Sequence, residues 1–162
     1  MTTSKTDGLG YRPCVGVMLV NAEGNVFVGR RIDNREGDWW QMPQGGVDEG
    51  EDLQEAAFRE LAEETGVRAE HITLLDSTKE PIRYDLPEEL MGKLWGGKYR
   101  GQEQIWYLAR FSGTDADVDL EAHDPPEFCD WKWADPEDLP ELIVPFKKRV
   151  YRAVLDAFRE LV

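Results

Sequence analysis

The sequence predicts a single α/β domain, and three observations carry that prediction. Short apolar runs rich in β-branched and aromatic residues recur along the chain as strands would. Two stretches space their apolar residues at helical intervals, and 162 residues suit one buried core.

In chain order, residues 1–10 are polar and read as a flexible segment, with the domain occupying 11–162. Residues 12–20 and 25–31 read as two strands joined by a turn at 21–24, a hairpin. A polar loop and the run Trp39-Trp40-Gln41-Met42-Pro43 then lead to a glycine turn and a first helix. On that helix Phe58, Leu61 and Ala62 form the face that packs, Glu51 and Asp52 suit its positive N-terminal end, and Gly66 supplies a left-handed stop. Residues 71–79 read as a strand and 81–101 as a long connection, a length more often functional than idle. Strands at 104–111 and 127–134 flank an acidic loop, and residues 136–139 suggest a short helical turn. The closing helix, 145–162, spaces Phe146, Val150, Val154, Phe158 and Val162 four apart behind Pro145.

Composition narrows the function. Thirty-three acidic against nineteen basic residues give a net charge of −14, which opposes a protein that wraps along extended nucleic acid but leaves room for a grip on one phosphate-rich end. No segment is long and apolar enough to cross a bilayer, so no membrane partner is expected. Cys14 and Cys129, far apart, read as small core residues of a reduced, cytoplasmic protein. The oligomeric state stays open.

Chemistry concentrates in residues 45–67. Glu60, Glu63 and Glu64 stand three and four positions apart, which puts three carboxylates on one helical face. Like charges at that spacing repel unless a cation sits among them, and hard divalent ions such as Mg²⁺ or Mn²⁺ are matched to carboxylate oxygens. Arg59 can pair with a neighbouring carboxylate and fix its orientation.

The positions Gly45, Glu51, Arg59, Glu60, Leu61, Glu63, Glu64, Gly66 and Val67 match the Nudix box throughout, and the chain resembles Nudix hydrolases, which use divalent cations to cleave a nucleoside diphosphate linked to another group. The resemblance extends over nearly the whole chain and sharpens toward bacterial RNA pyrophosphohydrolases and plant-type diadenosine polyphosphate hydrolases. It is carried by Gly10-Tyr11-Arg12-Pro13, Trp40-Gln41-Met42-Pro43-Gln44-Gly45-Gly46, Arg83-Tyr84-Asp85-Leu86-Pro87, the Gln102, Gln104 and Trp106 spacing, Pro126-Glu127-Phe128 and Val144-Pro145-Phe146-Lys147. It implies an αβα sandwich with a mixed sheet. It also implies a Mg²⁺ or Mn²⁺ site at Gly45, Glu60, Glu63 and Glu64, completed by Glu127.

Further implications concern substrate. The resemblance makes Glu60 or Glu127 the base and puts Tyr84 and Phe146 around a nucleobase, where an aromatic pair could clamp a flat ring. Arg12, Arg30, Lys98, Arg100 and Lys147 are candidates for a phosphate-facing rim. The chain departs from the subfamily at Glu80-Pro81-Ile82 and at Ile105, so base contacts are expected to differ. The partner is then a nucleotide polyphosphate, either the 5′-triphosphate end of RNA or a diadenosine polyphosphate. A sensor that binds such a nucleotide without cleaving it is the alternative, although all the box carboxylates are present.

Overall fold

Strand β1 (Gly10–Val20) is the spine of the molecule. The computed structural model describes residues 10–32, 39–86, 99–123 and 126–161, the side chain of Phe146 excepted. Along one edge β1 runs parallel to β6 (Tyr99–Phe111), from Gly10 opposite Tyr99 to Val20 opposite Arg110. Along the other it meets β2 (Val26–Arg31) only at Val20 and Val26, and then the two strands part. The short β3 (Gln44–Gly46) pairs with β1 below that fork, placing Gly45 opposite Val15, while Gln41 bridges across to Gly29 of β2. The expected hairpin is thus real at its turn and opens below it, which makes room for the glycine turn.

The remaining strands are β4 (Ile72–Ser77), β5 (Ile82–Asp85) and β7 (Phe128–Ala134). Antiparallel β4 and β5 line the outer edge of β6, and β7 pairs antiparallel with β2. The sheet order is β4-β6-β1-β2-β7, a mixed sheet as expected.

Alternation along β1 sorts the two cores. Val15, Val17 and Leu19 face helix α1 (Leu53–Thr65) with Ala56, Ala57 and Leu61. Met18 and Val20 face the other way, toward Val150, Tyr151, Val154, Leu155 and Phe158 of α3 (Lys148–Phe158), behind the short α2 (Leu139–Leu142). This is the αβα layering.

Four expectations need correction. The stretch 81–101 is not all connection: Ile82–Asp85 is a strand, and β6 begins at Tyr99. Flanking prolines hid β5; residues 87–98, including Lys98, lie outside the described set. Gly10 already belongs to β1, while residues 1–9 lie outside that set. On α1 the buried side carries Glu64 as well as Ala57 and Leu61, whereas Phe58 and Ala62 are only half-buried. Ala57, Leu61 and Glu64 share one stripe by helical spacing, so the acid at its end must enter the interior. Finally, Cys14 is buried but Cys129 is exposed, because β7 is an edge strand and turns that position outward.

Candidate active site

Helix α1 is aimed by local signals. The Asp52 carboxylate accepts from the amides of Gln54 and Glu55 at 3.1 and 3.2 Å, which caps the first turn, and the helix stops at Gly66 with φ of 75°. Between those ends Arg59 gathers the acids. Its Nε and Nη2 hold Glu51 in a two-pronged pair at 2.8 and 2.9 Å, and Nη1 donates to Glu60 at 2.8 Å and to Glu63 at 3.3 Å. Nη2 also reaches the Gly46 carbonyl at 3.0 Å, so one planar guanidinium stitches the helix to the glycine turn. The Glu51 carboxyl is accordingly held down to a pKa of about 2, chiefly by its hydrogen bonds from Arg59.

Close approach explains Gly45. A Cβ there would land on the Glu60 carboxylate, so any other residue would push that acid away. Burial raises the Glu60 pKa despite the Arg59 bond, and the charges of Glu63 and Glu127 add to the rise. Glu64 is the extreme case. It is 4% exposed, and its pKa stands well above the usual carboxylate range, from burial first and then from the charges of Glu60 and Glu127. A main-chain hydrogen bond from Gln44 favours its ionised form, yet its Oε2 is buried with no partner at all. Glu127 arrives from outside the helix, exposed, one residue before β7, with its carbonyl accepting from Ile32 at 3.0 Å.

These donors fit a divalent cation. An orphaned carboxylate oxygen, a second acid backed by bare glycine and a third across the fork are hard ligands with unmet charge. Among the described residues no three acidic, histidine or cysteine side chains form a closed metal cage by themselves. An ion such as Mg²⁺, which keeps several waters and takes substrate phosphate as ligand, does not need one.

On the α3 side, Tyr84 is 4% exposed and packs within the core cluster, with the Lys147 ammonium 5.6 Å from its ring centre. Burial and the neighbouring Arg31 charge lower the Lys147 pKa to about 8. Arg12 lies beside Cys14, its Nη1 4.0 Å from the sulfur. Phe146 has its main chain in the turn Pro145–Lys147, and its side chain is outside the described set.

Two arginines sit differently from one another. Arg100 pairs with Asp85 at 3.1 Å and lies over the Tyr11 ring at 5.1 Å. A cavity of about 720 Å³ is lined by Tyr11, Arg83, Tyr84, Asp85 and Arg149 among others, with none of the α1 acids. Arg31, by contrast, is a residue the sequence reading passed over. Its charge reaches Glu64, Tyr84 and Lys147, which joins the two halves of the site, while Arg30 before it stands opposite Asp130. The available signal was alternation along β2, which turns successive residues to opposite faces.

A family model described as the NUDIX domain matches residues 10–154. The chain belongs to the Nudix family. Two curated Nudix relatives, both named RNA pyrophosphohydrolase, come from Novosphingobium aromaticivorans and Erythrobacter litoralis. The first is 64% identical over 155 residues, 96% of each chain; the second is 62% identical over 156 residues, 96% of this chain and 95% of the relative. Among solved structures, a C. elegans Ap4A hydrolase binary complex aligns with a TM-score of 0.67 at 22% identity, covering 93% of this chain and 99% of the other. The E. coli dihydroneopterin triphosphate pyrophosphohydrolase aligns at 0.69, also 22% identical, over 91% and 96%. These two establish the Nudix fold.

Proposed function

We propose that this Nudix chain is a divalent-metal-dependent hydrolase that removes pyrophosphate from the 5′-triphosphate end of RNA. The observation that carries it is Glu64: a buried carboxylate oxygen with no partner, beside Glu60 and within reach of the Glu127 charge, is poised for a cation and costly without one. The identity of more than 60% with two proteins named RNA pyrophosphohydrolase supports the RNA end as substrate.

Glu60, Glu63, Glu64 and Glu127 would hold Mg²⁺ or Mn²⁺, with the Gly45 backbone beside them. Such an ion supplies charge neutralisation at phosphate oxygens and makes water a better nucleophile. Arg59 keeps Glu60 and Glu63 aligned, a positioning role, and Glu51 orients Arg59 in turn. Glu127, exposed and not held by Arg59, takes the proton of the attacking water. As the water oxygen bonds to phosphorus, the bridge between the α- and β-phosphates breaks, leaving a 5′-monophosphate and pyrophosphate. Lys147, Arg12 and Arg31 offset the negative charge of the polyphosphate, and Tyr84 with Phe146 borders the base. The negative surface elsewhere keeps the rest of the RNA from lying along the protein. Among the described residues no helix is long and apolar enough to cross a membrane. A reduced, cytoplasmic setting is part of the same proposal.

The test is a side-by-side rate measurement on 5′-triphosphorylated RNA and diadenosine tetraphosphate, with Mg²⁺ and with Mn²⁺. Pyrophosphate release from RNA should dominate and should stop on chelation. Preference for the dinucleotide would overturn the RNA end while leaving the hydrolase; tight binding with no turnover of either would leave only a sensor.

A further inference from the structure

A chain of buried amides leads from the middle of the sheet to Glu64. Gln102 and Gln104, 3% and 2% exposed, stand on β6 on the same face as Trp106, two residues apart each time. The Trp106 indole donates to Gln104 Oε1 at 2.8 Å. Gln104 Nε2 in turn donates to Gln44 Oε1 at 2.9 Å and to Gln102 Oε1 at 2.6 Å.

The direction of this chain is fixed by chemistry. An indole nitrogen can only donate, so Gln104 must turn its carbonyl to Trp106 and its amino group to the two glutamines. Both amino hydrogens are then used, and Gln44 must present its oxygen.

The reach is set by strand β1. Gly16 lies opposite both Gln44 of β3 and Trp106 of β6, and a Cβ at Gly16 would strike the Trp106 ring at 2.6 Å. The bare strand at Gly16 leaves the Trp106 ring its place over β1. Gln44 is gripped at one end by Gln104 through its side chain, while at the other its main chain lies against the Glu64 carboxylate and favours its ionised form, and the next residue, Gly45, lies against the Glu60 carboxylate.

We propose that Gln104 is a positioning residue: through Gln44 it sets the place of the Glu64 carboxylate, and with it the affinity of the acidic site for a divalent cation. The inference rests on the proposed metal-dependent function, but it concerns the empty protein as much as turnover. Groups that orient a metal ligand from behind are commonly worth about 10- to 100-fold in metal affinity or activity. Neither Gln104 nor Gln44 is placed in the substrate grip, so the effect should appear in metal binding and kcat rather than in KM.

The experiment is a Mn²⁺ titration by electron paramagnetic resonance, without substrate, on Gln104→Met, Gln44→Met and the double variant. Hydrolysis is followed separately. Gln104→Met should weaken Mn²⁺ binding by about tenfold and lower kcat to a similar degree, with KM within about twofold. Gln44→Met keeps the main-chain donor but lets go of Gln104, and should give the same loss. The double variant should be no worse than the worse single one, because both cut the same link.

Unchanged Mn²⁺ affinity in a folded Gln104→Met protein would overturn the proposal, as would losses that multiply in the double variant. Should Gln104→Met fail to fold, the half-buried Gln44→Met decides, since wild-type affinity there breaks the link directly. If the wild type hydrolyses neither RNA nor dinucleotide, the functional reading fails while the Mn²⁺ comparison still judges Gln104.

Discussion

On the α1 side of the sheet the machinery is local: Gly45, Glu51, Arg59, Glu60, Glu63 and Glu64 come from one short stretch, and a single guanidinium ties Glu51, Glu60 and Glu63 to the Gly46 carbonyl. On the α3 side the residues near Tyr84 come from β1, β2, β5, β6 and the turn before α3, and they meet only because the sheet brings them together. The first region depends on helical spacing, which a sequence displays. The second depends on register across strands, which it does not. The difference separates chemistry from selectivity: the acids specify what is done to a phosphate, and the scattered side specifies which molecule brings it.

Substitutions on the two sides should therefore fail in different ways, and Glu64 offers the largest effect. Glu64→Gln is expected to lower kcat by about 10³-fold or more. Because the folded protein raises the pKa of this acid, its burden on stability is absent below the ordinary carboxylate range and grows as pH rises through it. The metal-free variant should then resist urea better than the wild type at pH 8, by about 1–3 kcal/mol, and by less at pH 5. A variant that is inactive and less stable would mean that Glu64 has a partner in solution.

Next comes Arg59→Lys, which keeps charge but not the fork. A lysine cannot serve Glu51, Glu60, Glu63 and the Gly46 carbonyl together, so kcat should fall by about 10- to 100-fold. Near-full activity would show that the acids align without it.

Lys147→Met probes the other side and should raise KM about tenfold while kcat changes little. Since the folded pKa is lowered to about 8, the wild type loses this cation as pH passes that value, and its KM for a polyphosphate should climb there. In the variant the climb should disappear; a climb that persists assigns it to another group. A kcat loss instead of a KM change would erase the contrast between the two sides.

The smallest effect is expected from Glu51→Gln, read by thermal melting against pH. A depressed carboxylate contributes stability above the ordinary value of 4.5 and loses it as pH falls toward about 2. The variant's melting curve should be flatter across that window.

How much could be read in advance follows the same division. Helix α1, the acids at its N-terminal end and its Gly66 stop were legible because every signal lies within a few residues, while the capping bond of Asp52 came from the structure. The box acids were legible for the same reason, although the inward turn of Glu64 was not, since it depends on which stripe the sheet claims. Strand β5 was hidden by its prolines and by pairing with β6, which no local pattern announces. The closing helix was found, but its four-residue stripe missed Tyr151 and Leu155, which widen the packed face; the Tyr151 hydroxyl accepts from Met42 at 2.8 Å and so anchors the run before the glycine turn. Gln104 gave no sign of its reach, because its partner Gln44 lies across another strand at a position where that strand has no side chain.

The parallel pairing of β1 with β6 also sets an order of assembly. Its two strands are separated by about half of the chain, and loop closure of that length must precede any gain from their contact. Helix α1 can form as soon as its own cap and stop exist, but the strand pair it docks against is complete only once residues up to 111 are in place. A growing chain that ends short of β6 thus carries every acid of the box on a helix with half a floor beneath it, and Glu127 and Lys147 arrive later still.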